Sequence, residues 1–154
     1  MLKFYIHAIG KLKNAHISEL IFDYKKRLNS HLEIQEFELK KAKNLSVDSV
    51  KEHEAKLLLS DIPDNACVIA MDETGTTFSS REFAGYISRK STAGFSTFVF
   101  IIGGADGLHD SIRKSAHQVF SLGRITLPHM LARLVLVEQI YRAERIMDNH
   151  PYDK

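Results

Sequence analysis

The chain has 154 residues, 44% of them hydrophobic, and a formal net charge of +2. That length suits one substantial core rather than two. The small basic excess permits contact with a phosphate backbone but excludes a protein that holds nucleic acid by bulk charge alone. Cys67 is the single cysteine, so no intrachain disulfide forms, and the opening MLKFYIHAIGKLK has too short an apolar run for a secretory signal or a membrane span. A soluble, cytoplasmic protein is expected.

Residues 2–9 read as a strand, and 15–28 as a helix with Ile17, Leu20, Ile21, Tyr24 and Leu28 at helical spacing. A second strand over 32–39 runs into the basic stretch Lys40-Lys41-Ala42-Lys43. Val50, Leu57 and Leu58 repeat the helical pattern over 47–59, and Ile62-Pro63-Asp64-Asn65 is a turn that delivers the chain to a strand over 67–71. Cys67, in the setting Ala-Cys-Val-Ile-Ala, has the neighbours of a small buried residue rather than of a nucleophile.

Residues 72–77 form a glycine-containing loop, after which Ser79-Ser80-Arg81-Glu82 has the spacing of a capping box and starts a helix to about residue 89. The run TFVFII over 97–102 is continuously apolar, as expected of a central parallel strand covered on both faces. Gly103-Gly104-Ala105-Asp106-Gly107 breaks it. A helix over 110–117 and a short strand over 119–122 follow, and Pro128 opens a long helix to about residue 147, proline being well suited to a first helical turn. The remaining tail is polar.

Five strands alternating with five helices predict a single α/β domain over 1–154, with a mostly parallel sheet flanked by helices. Ligands of such sheets sit at the carboxyl ends of the strands, which selects the loops 71–75, 103–107 and 122–127. FVFIIGGADGL ends a strand in two glycines, which lets the backbone turn sharply and a ligand approach closely. It is neither a full G-x-G-x-x-G fingerprint nor a phosphate loop with G-K-[ST], which argues against a dinucleotide oxidoreductase or an ATPase. In SLGRITLPHM an irregular loop of mixed polarity offers backbone donors and acceptors to an adenine; its plainer interpretation is a simple connection.

His129 and Arg133 stand four apart on the last helix, as do Glu138 and Arg142, the latter in the favourable acid-before-base order of a surface ion pair. The helix is apolar on most sides, which fits either burial against a second subunit or a central place in its own. The tail NHPYDK combines an aromatic, a proline, a histidine and a lysine, suited to stacking on a base and touching phosphate, or alternatively to a frayed terminus.

IGKLK at residues 9–13, IGGADGL at 102–108, TLPHMLARLVLVEQIYRA at 126–143 and HPYDK at the tail occur in the order and spacing of one family. The chain resembles the ribosomal RNA large subunit methyltransferase H family, a compact branch of the SPOUT methyltransferases, over nearly its full length. The resemblance implies a homodimer with a C-terminal trefoil knot that transfers a methyl group from S-adenosylmethionine to N3 of a pseudouridine in 23S ribosomal RNA on the ribosome, with no metal and no membrane. It assigns the cofactor to Met71, Gly103, Leu122, Gly123, Arg124, Ile125, Thr126 and Leu127. It puts His129, Arg142, Tyr152 and Asp153 in the catalytic group, and Arg133 and Lys154 on the RNA. Lys11, Lys13 and the basic stretch read by default as solvated lysines, or alternatively as an extension of the RNA surface.

One position departs from the family. Its tail usually reads Pro-Tyr-His before a basic residue, whereas this chain has Pro151-Tyr152-Asp153-Lys154. If that position supplies the base that removes the N3 proton, Asp153 is a weaker substitute, or His129 or His150 takes the role; if it contacts phosphate, Asp153 repels it. Two other readings follow: an RNA-binding or ribosome-binding module of the same fold with weakened transfer, and a nucleotide-binding regulator that uses Gly103-Gly104 for phosphate.

Overall fold

Side chains alternate between the two faces of a strand, and here that alternation sorts the core into two layers. The structure, a computed structural model, describes residues 1–40 and 44–153; Lys41, Ala42 and Lys43 of the basic stretch, and Lys154, lie outside the described residues. The strands β1 (Lys3–Ile9), β2 (His31–Phe37), β3 (Cys67–Thr77), β4 (Thr97–Ile102) and β5 (Gln118–Ser121) alternate with the helices α1 (Ala15–Arg27), α2 (Val47–Leu58), α3 (Ser80–Thr92), α4 (Asp110–Ser115) and α5 (His129–Met147). All strand pairings are parallel, in the order β2-β1-β4-β3-β5.

On β4, Phe98, Phe100 and Ile102 face one layer with Phe4 and Ile6 of β1 and Ile69 of β3, under α1, α3 and α5. Val99 and Ile101 face the other, with Ala55 and Leu58 of α2 and Ile112 of α4. The continuous apolar run is thus a strand buried on both sides, as its composition predicts. Cys67 is fully buried, its sulfur 3.6 Å from the Tyr86 hydroxyl, and burial pushes its thiol up, away from the reactive thiolate.

Ser79 accepts a hydrogen bond from the Glu82 amide at 3.1 Å and caps α3 where the capping box predicts. Pro128 stands at the N-cap of α5, one position before the first turn. The helix packs in its own subunit against α1 and α3, with Leu136, Val137, Ile140 and Ala143 fully buried, while Leu131 stays 40% exposed.

The expected loop 72–77 is different. Met71 and Thr76 both pair with Phe120 of β5, so residues 72–75 bulge out of an otherwise continuous strand. Gly75 makes the return to the ladder, since a Cβ there would stand 2.7 Å from the Val119 carbonyl oxygen. Periodicity along one strand does not contain this, because the pairing is set by a neighbour more than forty residues away.

Candidate functional site

Three chain segments end together at the carboxyl edge of β3, β4 and β5 and enclose a cleft of about 480 Å³, a size suited to a small-molecule cofactor. Met71 leads into the bulge, where the Thr74 amide donates to Asp72 Oδ2 at 3.1 Å and turns the segment outward. Gly103 begins the second wall. A Cβ there would lie 2.8 Å from the carbonyl carbon and oxygen of Gly107, so only glycine lets the 103–107 loop fold back on itself. The third wall leaves β5 through a tight turn: Ser121 Oγ accepts from the Gly123 amide at 3.1 Å and donates to the Gly123 carbonyl at 3.0 Å.

Of the expected cofactor positions, Met71, Gly103, Leu122, Gly123, Ile125, Thr126 and Leu127 line this cleft, together with His129 at the start of α5. Arg124 does not. Residues that motif reading missed also line it, among them Lys51, Asp72, Asp106 and Arg113. Arg113 crosses from α4 to donate to the Leu108 carbonyl at 2.9 Å, and its guanidinium also meets Asp72 at 3.4 Å and Asp110, so it ties the second loop to the bulge. Its i,i+3 spacing from Asp110 reads only as a helix-surface pair, and its tie to Asp72 comes from a separate element. Asp72 was within reach, as the first residue beyond Met71 in a loop that the strand-end rule selects.

The remaining expected residues gather elsewhere. At the far end of α5, the Arg142 guanidinium is 2.7 Å from Glu138 and 3.1 Å from Asp153. Asp153 also meets Arg81 at 3.1 Å. Arg142 lies over the Tyr152 ring at 4.7 Å, and the Tyr152 hydroxyl donates to Glu138 at 3.2 Å. Burial, then the Tyr24 hydrogen bond and the Glu138 charge, push the Tyr152 phenol up to about 12, so it is a neutral donor at physiological pH. The Glu138 hydrogen bond outweighs burial at Arg142 and holds its charge more firmly than usual. The pair read as a surface ion pair is therefore the centre of a half-buried network.

His129 and Arg142 stand thirteen positions apart on the helix, roughly 20 Å at 1.5 Å per residue. Cleft and tail cluster thus lie apart within this chain.

Arg133 corrects an expectation. It is 2% exposed, and its guanidinium donates to Glu36 at 2.6 Å and to the carbonyls of Ile9 and Gly10 at 2.9 and 2.7 Å. Glu36 also accepts from the Leu12 amide at 2.6 Å. A charge enclosed this way fastens the 9–13 segment to α5 and does not face RNA in the subunit. Its spacing from His129 suggested a shared face, but the long side chain turns toward the ends of β1 and β2. Lys11 and Lys13 of that segment are exposed.

An open parallel α/β sheet with a cleft at its strand ends and no nucleotide fingerprint defines a class of ligand-binding domain rather than one protein. The family described as "Predicted SPOUT methyltransferase" matches residues 2–153. The chain belongs to the SPOUT methyltransferase family.

Its similarity to individual proteins runs the whole length. It is 40% identical to a ribosomal RNA large subunit methyltransferase H of Streptococcus uberis, over 99% of this chain and all of the relative. It is 41% identical to the protein of that name from Listeria monocytogenes, over 97% of this chain and 98% of the relative. Among solved structures, a "probable methylase family protein" from Haemophilus influenzae superimposes with a TM-score of 0.57 at 15% identity, over 100% of this chain and 72% of that one, a likeness of fold.

Proposed function

We propose that the chain is an S-adenosylmethionine-dependent methyltransferase that modifies N3 of a pseudouridine in 23S ribosomal RNA on the assembled ribosome, working as a cytoplasmic homodimer. The observation that carries this reading is the cleft, built by the three loops at the ends of β3, β4 and β5 and lined by seven of the eight positions that the family resemblance assigns to the cofactor. The names of full-length relatives at 40% and 41% identity supply the substrate class. No helix among the described residues is long and apolar enough to cross a membrane, and no group of three metal-ligating side chains occurs among them.

The lining fits the cofactor. Met71, Ile102, Leu108, Leu122 and Leu127 offer apolar surface to an adenine, the backbone of 122–127 offers its donors and acceptors, and Asp72 and Thr74 offer polar groups to a ribose. The bound cofactor supplies a methyl group on an already activated sulfonium. The C-terminal trefoil knot belongs to the same reading, as the arrangement that keeps 122–127 beside the Gly103 turn.

The protein's own task is alignment and proton removal. N3 of the base must lose its proton before it can attack. Of the candidates for this base, Asp153, His150 and His129, we assign it to His129, which is exposed and lines the cleft. Arg142 stabilises negative charge developing on the base, and the neutral Tyr152 hydroxyl positions the ring. Because Arg142 lies some 20 Å along α5 from His129, with Tyr152 packed against it, a second copy's tail completes the cleft, with the exposed Lys11 and Lys13 toward the RNA backbone.

Ribosomes from cells lacking this modification, incubated with the protein and isotopically labelled S-adenosylmethionine, are expected to gain one methyl group at N3 of a pseudouridine, located by mass spectrometry of the digested RNA. Ribosome binding without transfer selects the RNA-binding module instead, the alternative favoured by the grip of Asp153 on Arg142 and Arg81.

A further inference from the structure

Glu54 of α2 is 8% exposed, yet no hydrogen bond or ion pair to a described residue compensates it. Burial, then the negative charge of Asp106, push its carboxyl up; no group that would favour the charged form acts on it. Its carboxylate lies directly behind Gly104. A Cβ on Gly104 would stand 2.7 Å from Oε2 and 3.1 Å from Oε1, so only a bare glycine lets the 103–107 loop lie against this carboxylate, and Gly104 itself lines the cleft. Lys51, one helical turn earlier on the same face of α2, lines that cleft too, as does Asp106.

A buried carboxylate beside a second one is an electrostatic cost that a cation removes. The cofactor carries a fixed pair of charges at one end, an α-ammonium and an α-carboxylate. We propose that Glu54 and Lys51 read this amino-acid end: Glu54, behind Gly104 and beside Asp106, receives the ammonium, and Lys51 receives the carboxylate. The inference rests on the cofactor assignment above and adds to it the residues that distinguish the whole cofactor from a bare adenosine thioether.

Calorimetry with three ligands tests it. S-adenosylhomocysteine carries both charges, decarboxylated S-adenosylmethionine keeps only the ammonium, and 5′-methylthioadenosine lacks the amino-acid end. Glu54→Gln is expected to weaken the first two by about tenfold or more, the range of one charged hydrogen bond, and to leave methylthioadenosine within about twofold. Lys51→Met is expected to weaken S-adenosylhomocysteine alone.

A Glu54→Gln variant that loses all three ligands equally marks a structural role for Glu54 and overturns the proposal. So does one that loses none. If the buried substitution fails to fold, Lys51→Met, on a side chain at the cleft surface, decides the matter instead: an equal loss for S-adenosylhomocysteine and the decarboxylated ligand overturns the proposal. If the unmodified protein binds none of the three, the cofactor reading itself falls, an outcome distinct from selective failure.

Discussion

The two ends of α5 are built on opposite principles. At its start the cleft is made of backbone, with glycines, a strand bulge and a tight turn holding loops apart. At its end the tail cluster is made of side chains, in which Arg142, Glu138, Asp153, Arg81 and Tyr152 satisfy one another. Two buried glutamates show the same contrast. Glu144 accepts from the amides of Asn29 and Ser30 at 2.8 and 2.9 Å, from the Ser30 hydroxyl and from Arg145. Glu54 has no comparable partners among the described residues. A buried carboxylate whose oxygens are already paired is holding the fold, whereas one left uncompensated is prepared for a ligand.

The sharpest break of this contrast comes at Gly103. Gly103→Ala forces a Cβ against the Gly107 backbone and displaces the loop, and a shift near 1 Å at a reacting centre costs on the order of 100-fold in rate. Cofactor affinity is expected to fall with it, measured by calorimetry. Arg142→Ala is expected to lose about 100-fold in single-turnover transfer, the scale of one electrostatic donor, with S-adenosylhomocysteine affinity unchanged. Equal loss of affinity in both variants would erase the distinction between the two ends.

Tyr152→Phe is expected to lower the rate about tenfold, the scale of a lost hydrogen bond to a charged group. Since the phenol titrates only near 12, the pH–rate profile below about pH 10 is expected to keep its shape in this variant. A rising limb that disappears with the hydroxyl would mark Tyr152 as a base.

The smallest effects are on stability, and they have opposite signs. Burial alone would push Glu144 up, but the Ser30 hydroxyl, the two amides and Arg145 overcome it and hold the carboxyl below its ordinary value. A depressed carboxyl contributes stability above its unfolded pKa of about 4.3 and loses it as pH falls through the folded value. Glu144→Gln is therefore expected to cost about 1–3 kcal/mol at neutral pH and to flatten the acid side of the melting curve.

Glu54 is raised, so its contribution is fully present below the unfolded pKa and is lost as pH rises through the folded one. Glu54→Gln is accordingly expected to raise the melting temperature of the ligand-free protein at neutral pH. If both substitutions destabilise alike, Glu54 is an ordinary structural carboxylate.

The layers of the fold were legible because they depend on local period: TFVFII announced a strand covered on both faces, and Ser79 with Glu82 announced a helix start. The cleft was partly legible, because the strand-end rule selects the loop that Gly103-Gly104 opens, although alone that break reads as an ordinary strand-to-helix turn. The resemblance assigned Arg133 to RNA; its enclosure by Glu36 and the Ile9 and Gly10 carbonyls was not legible, since spacing along a helix fixes where a side chain leaves the backbone and not where a long guanidinium ends. Glu54, Lys51 and Arg113 were not legible at all. Each gains its meaning from a loop on another element.

The central claim is that a cleft at one end of α5 works with a tail cluster from a second copy. Mixing Gly103→Ala with Arg142→Ala protein, under conditions that exchange subunits, tests it most directly. Random pairing makes half of the dimers mixed, each with one intact cleft facing one intact tail, so transfer is expected to return to roughly a quarter of the unmodified rate. A mixture no more active than either variant alone would contradict the account and place both groups of residues in a single subunit's site.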